Sequence, residues 1–324
     1  MDGREPLDLT EEALLEAIRR VLSGAGAEVR VGVGDDAAVL APTGGELVIT
    51  TDLLVEGVHF VRHRTAARDV GYKAIVVNVS DIAAMGASPR SAVCALVLPP
   101  DVEAAWVMEL FGGMREACDE YALWLVGGDL SRGRDASIAV TVTGEVAPGK
   151  AVLRSGAHPG DRVVVTGELG GSAAGLRLSA APGMPNEQRL ALVRRHLRPT
   201  ARVGEGGVLA TNGATAMMDV SDGLAIDLSR LVRASSVGAQ VVIGDVPVAT
   251  GATLDDALGG GEDYELLATL PEHAAFEAAR SQLKEAFGVP LTEIGRIVDG
   301  EGLTAIEADG TERSLEPTGW DHFR

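Results

Sequence analysis

The run RDVGYKAIVVNVSDIAAMG, residues 68 to 86, decides how the rest of the chain is read. Its apolar residues fall nearly all round a 3.6-residue period, and it is too long for a typical strand. It therefore predicts a helix buried on every side, with Asn78 and Asp81 sharing one face. Before it, ELVITTD at 46–52 is a β-branched run that turns polar, which predicts a strand with Asp52 at its carboxyl end. After it come SAVCALVLP at 91–99 as a strand and DVEAAWVMELFGGMREACDEY at 101–121 as a helix. WLVGGD at 124–129 reads as a strand ending at Asp129, and ASIAVTVTGEV at 136–146 as another. Upstream, AAVLAP at 37–42 reads as a short strand. DLTEEALLEAIRRVL at 8–22 has the spacing of an amphipathic helix, with Asp8 and Glu11 as a capping pair.

Further out, Pro and Gly accumulate in APGKAVLRSGAHPGD at 147–161, between two strand patterns. A second alternating unit follows: DRVVVTGELGG as strand and turn, SAAGLRLSA opening a helix, AMMDVSDG as strand and turn, LAIDLSRLVRAS as a helix, then QVVIGDVPV. A chain of 324 residues exceeds one ordinary domain. The expectation is an α/β protein of two domains, residues 1–148 and 149–324, with no internal sequence repeat.

Apolar residues make up 46% and charged residues 23%, as in folded globular proteins. Against 28 bases stand 47 acids, a formal charge of −19 that repels nucleic acid and anionic membrane in the absence of a tight basic cluster. Solubility accounts for much of that surplus; some of the carboxylates are expected to collect divalent cations. Cys94 and Cys118 lie in apolar stretches with no CxxC and no His cluster, so buried reduced thiols are expected rather than a zinc site or a disulfide. The opening MDGREPLDLTEE lacks the basic and apolar regions of a signal peptide. No run reaches the roughly 20 apolar residues of a membrane helix. A cytoplasmic location is the expectation.

Aspartates gather where apolar elements end: Asp35 and Asp36 in GDD, Asp52 in TTD, Asp81 in NVSD, Asp129 in GGD, Asp219 and Asp222 in DVSD. Any one of them alone reads first as a helix cap or turn residue, Asp222 among them. Together they set hard oxygen ligands at the ends of successive elements, where ligands collect in open α/β sheets. The pattern points to a polyphosphate site with several Mg²⁺ ions. GGSAAG at 170–175 approaches a P-loop but has Leu176 where Lys is needed, which disfavours a P-loop kinase. Its backbone N–H groups remain candidates for holding phosphate, with tight strand-to-helix packing as the alternative. No hydrolase triad or HExxH pattern can be assembled, and His59 is the one histidine beside the acidic cluster.

GVGDDAAVL, TTDLLVEGVHF, YKAIVVNVSDIAAMGASP, LVGGDLSRG, LRSGAHPGDRVVVTGELGGSAAG, DVSDGLAIDL, GGEDYEL and GWDHF occur in that order over nearly the whole chain. In this it resembles the thiamine-monophosphate kinases, within the superfamily of aminoimidazole ribonucleotide synthetase-like ATP enzymes. The resemblance implies the two-domain fold of that superfamily, with first-domain sheets pairing in a homodimer, ATP/Mg²⁺ binding in the first domain and an α/β second domain. It implies ATP- and Mg²⁺-dependent phosphorylation of thiamine monophosphate to thiamine diphosphate.

Carried over by motif, it assigns Mg²⁺ contacts to Asp36, Thr50, Thr51, Asp52, Asp81, Asp129, Asp219 and Asp222. Asp52, Asp129, Asp219 and Asp222 are the catalytic set; Gly128, Asp129, Arg154 and Ser221 would contact ATP, and His59, Glu262 and Trp320 thiamine monophosphate. Rival members of the superfamily fit less well. Selenophosphate synthetases carry a reactive Cys near the N-terminus, and here none precedes Cys94; the hydrogenase-maturation dehydratases end in a modifiable Cys, and this chain ends HFR. GGEDYE and GWDHF disfavour the purine cyclo-ligase. A non-catalytic nucleotide or metal sensor is the alternative of another class.

Overall fold

The computed structural model describes residues 11–22, 28–32, 37–42, 44–181, 186–271 and 273–320. Asp8 of the expected capping pair lies outside these residues, as do Asp35 and Asp36. The chain divides into two compact units, one of Met1–Ile82 with Ser88–Pro148 and the other of Ala83–Ala87 with Gly149–Arg324.

In the first unit, α1 (Glu11–Val21) precedes the short antiparallel pair β1 (Val29–Val31) and β2 (Val39–Leu40). Then follow β3 (Glu46–Val55), α2 (Ala67–Ala84), β4 (Ser88–Leu98), α3 (Ala104–Glu120), β5 (Trp124–Arg132) and β6 (Ser137–Val146). Four of the strands form one sheet in the order β3-β6-β4-β5, with only β4 and β5 parallel. The helix predicted from residues 68–86 is α2, and Ile75, Val76, Val79 and Ile82 have no exposed surface. It meets α3 backbone to backbone. A Cβ on Gly71 would lie 1.9 Å from the Leu110 carbonyl oxygen, and one on Gly113 1.8 Å from that of Arg68. Arg68 spans the same crossing to Glu109 at 3.1 Å and Glu116 at 2.6 Å.

Two strands run further than their polar residues suggested. Asp52 and Asp129 lie inside β3 and β5, not at their ends. An unbroken ladder from Glu46↔Val146 to Val55↔Ser137 carries β3 through TTD, with Thr51 on the outward face and Thr50 and Asp52 on the face toward α2. On β3 that outward face is apolar at Leu47, Ile49 and Leu53, which are 68%, 65% and 51% exposed.

The second unit contains β7 (Arg162–Thr166), α4 (Gly171–Ala180), α5 (Glu187–Leu197), α6 (Val203–Thr211), β8 (Ala216–Asp219) and α7 (Leu224–Ser235). Next are β9 (Gly238–Val242), a 3₁₀ turn (Ile243–Asp245), α8 (Leu254–Gly259), β10 (Leu266–Leu270), α9 (His273–Phe287), β11 (Leu291–Val298), β12 (Gly302–Ile306) and β13 (Glu312–Ser314). The sheet order is β13-β12-β9-β11-β7-β10-β8, antiparallel except for β12 beside β9. Helices cover both faces. Val163 and Val165 of β7 join the core under α7, while Val164 joins that under α6 and α9. Continuous apolar runs such as RVVVT and LLATL are the sequence mark of strands buried on two sides. Cys94 and Cys118 are free and buried, as expected. Among the described residues no helix is long and apolar enough to cross a membrane.

Candidate functional site

In the first unit the expected metal residues divide by sheet face. Thr50 and Asp52 stand opposite Val142 and Val140, whose side chains are buried under the helices. There the Thr50 hydroxyl donates to Asp81 Oδ2 of α2 at 2.5 Å. Thr51 points the other way, opposite Thr141, whose hydroxyl donates to it at 3.0 Å. Asp129 is opposite Ala95 and accepts from Ser131 Oγ at 3.1 Å. By register it shares the open face with Thr51. Gly128 is a glycine because β5 runs so close to β4 that a Cβ would sit 1.9 Å from the Cys94 carbonyl oxygen. His59 lies in the turn after β3, where the Val55 N–H donates to its Nδ1 at 3.0 Å. With Nδ1 an acceptor, the ring of the neutral histidine carries its proton on Nε2.

In the second unit Asp219 ends β8, as its sequence position predicted, and is buried. The turn that follows joins four expected site residues through the main chain. The Glu262 N–H donates to the Ser221 carbonyl at 2.7 Å, and the Trp320 N–H to the Asp222 carbonyl at 2.9 Å. Glu262 has φ +65° and Tyr264 φ +53°, left-handed values that are costly for residues with side chains. The Glu262 carboxylate also meets His196 Nδ1 at 3.1 Å. Arg154 is not part of this group. Its carbonyl accepts from Ser235 Oγ at 3.3 Å, at the far end of α7 from Ser221. At about 1.5 Å per residue the helix keeps the two backbones well apart.

Two residues that the motifs did not single out, Asp227 and Arg230, hold this turn, and a third, Asp263, holds the start of α4. Asp227 Oδ2 accepts the N–H groups of Ser221, Asp222 and Gly223 at 3.1, 3.0 and 3.1 Å. Burial raises its pKa above the usual carboxylate value. Arg230 Nη1 then bridges Asp227 Oδ1 at 2.7 Å and Asp222 Oδ2 at 2.5 Å. Asp222 is therefore not a helix cap. Asp263 accepts from the Gly170 N–H at 2.6 Å and the Ser172 N–H at 3.1 Å. Of the two readings left open for GGSAAG this favours the structural one, for an internal side chain already holds the Gly170 and Ser172 N–H groups. Burial pushes the Asp263 carboxyl up to about 7, against the opposing pull of these two N–H bonds. It also lines a 240 Å³ cavity in which Arg195, Arg198 and Arg202 face Asp263 and Glu265. Asp227 lay in an ordinary helical pattern, and its only sequence signal was an acid in the first turn after SDG.

Against known families, residues 34–146 match the N-terminal domain of AIR synthase related proteins and residues 158–307 the C-terminal domain. The thiamine-monophosphate kinase of Salmonella typhimurium is 41% identical over 310 residues, covering 91% of this chain and 93% of that protein. The solved structure of AaThiL complexed with AMPPCP and TMP is 37% identical, covers 100% of both chains and has a TM-score of 0.76. Hydrogenase maturation protein HypE in complex with ATP has a TM-score of 0.75 at 20% identity, over 92% of this chain and 91% of that one, and so shares the fold.

Proposed function

The chain belongs to the thiamine-monophosphate kinases, and from that membership we propose that it transfers the γ-phosphoryl group of ATP to thiamine monophosphate, giving thiamine diphosphate. In AMPPCP a methylene stands where ATP has its β–γ bridging oxygen, so AaThiL with AMPPCP and TMP bears on this pairing of donor and acceptor. The observation that carries the reading within this chain is the turn at 219–223. Its carbonyls hold Glu262 and Trp320, which the motifs give to thiamine monophosphate, beside Asp219, Ser221 and Asp222, which they give to Mg²⁺ and ATP. The test is ADP release by the purified protein. Release that depends on thiamine monophosphate, with thiamine diphosphate as product, is expected. Release without it, or none with it, would overturn the reading and favour a superfamily relative or a sensor.

The acceptor oxygen of a phosphate monoester is already anionic near neutral pH, so the reaction needs no strong base. Repulsion between two phosphates is the obstacle. Bound Mg²⁺ would supply the positive charge that offsets this repulsion. The donor set fits it: Thr50, Asp52 and Asp81 offer hard oxygens on one sheet face, as do Asp219 and Asp222 around the second unit's turn. Among the described residues no three acidic, His or Cys side chains form a self-contained cage. Mg²⁺ commonly takes one or two carboxylates and completes its shell with phosphate and water. Thr51, Asp129 and Asp36 are proposed as further ligands, with Asp36 outside the described residues.

His59, as the Nε2–H tautomer, would donate a hydrogen bond to the acceptor's phosphate. Trp320 is 52% exposed and offers its ring face to the cationic thiazolium, a contact worth about 0.5–2 kcal/mol. Arg154, exposed beside the end of α7, would reach the nucleotide phosphates with its side chain, and Gly128 would meet the nucleotide through its main chain. The open apolar face of β3 supports a homodimer in which first-unit sheets pair. Dependence on ATP supports a cytoplasmic location.

A further inference from the structure

We propose that Asp227 and Arg230 are positioning residues for the transfer, Asp227 by setting the 221–223 turn and Arg230 by aiming the Asp222 carboxylate. The geometry is closed on itself. Three consecutive N–H groups converge on one oxygen of Asp227, a side chain with no exposed surface, and the other oxygen receives Arg230. Converging backbone N–H groups of this kind form an anion-binding concavity, here filled from within by the first turn of α7. Gly223, at φ +128°, allows the chain to make the turn. Arg230 ties up Asp222 Oδ2 and thereby orients Oδ1.

Hydrogen bonds that orient a ligating carboxylate usually matter to metal affinity by about 10- to 100-fold. The carbonyls of the same turn carry Glu262 and Trp320. Asp227 thus holds one rigid piece on which residues of both substrates are mounted, while Arg230 acts on the metal side alone. The proposal rests on the reading of Ser221 and Asp222 as nucleotide and metal contacts.

Nucleotide-free Mn²⁺ titration of the full chain, followed by electron paramagnetic resonance, tests it alongside steady-state kinetics. Asp222→Asn is the control for the underlying reading. Arg230→Met should weaken Mn²⁺ binding about 10-fold and raise the KM for ATP, leaving the KM for thiamine monophosphate within about twofold, and Arg230→Lys should recover much of the loss. Asp227→Asn keeps an acceptor for the three N–H groups but turns an amide toward Arg230, so it should reproduce Arg230→Met. Asp227→Ala, which strands the N–H groups, should raise both KM values if it folds. If Asp222→Asn weakens Mn²⁺ binding and neither Arg230→Met nor Asp227→Asn does, the positioning roles are wrong. If Asp222→Asn itself has no effect, it is the metal reading of Asp222 that fails.

Discussion

Replacing Asp52 or Asp129 by Asn removes a charge without removing volume, so the fold should survive while the chemistry does not. Each variant is expected to lose orders of magnitude in kcat at saturating Mg²⁺ with an unchanged circular dichroism spectrum; near-normal turnover in both would dismiss them as metal ligands. Asp263 makes a separate prediction about pH. Its folded pKa of about 7 lies above the 3.8 of an ordinary aspartate, so between those values the native state binds the extra proton. Stability from this group therefore falls as pH rises from about 4 to about 7 and is level above that. Urea unfolding should show the advantage of wild type over Asp263→Asn shrinking from pH 5 to pH 7.5. An advantage that grows over that interval would mean the carboxyl is not held protonated. Asp263 was hidden in the sequence beside Glu262, because its role depends on a helix N-terminus over 90 residues earlier.

Where an element's pattern is set by its own burial, it was legible. The all-round apolar run at 68–86 is α2 within two residues at each end, and AMMD ends as a strand at Asp219. Where partners set the limits, it was not. TTD looked like a strand end until β6 paired with the whole of β3. The α2–α3 crossing gives this a mutational form, since two adjacent glycines of α3 face different surroundings. A Cβ at Gly113 collides with main chain, whereas one at Gly112 meets only the end of the Arg68 side chain at 3.1 Å. Gly113→Ala should cost at least about 2 kcal/mol, a fall of roughly 4–8 °C in thermal midpoint. Gly112→Ala should be near neutral or stabilising, because alanine is the better helix former. Equal melting temperatures for the two would refute the close crossing.

For the whole molecule, the open face of β3 predicts association. Ile49→Lys should convert a dimer to a monomer in sedimentation equilibrium, and a variant that still sediments as a dimer would place the interface elsewhere. Association through the same face can be watched directly, because of how the cysteines are kept. Burial raises both the Cys94 and Cys118 thiols to about 12, leaving about one thiolate in ten thousand at pH 8. A cysteine introduced at exposed Asp119, on α3 and away from that face, would then be the one thiol that takes a nitroxide label, with no native cysteine to remove first. The interior chemistry of the fold has made the chain a ready scaffold for measuring distances between its own copies.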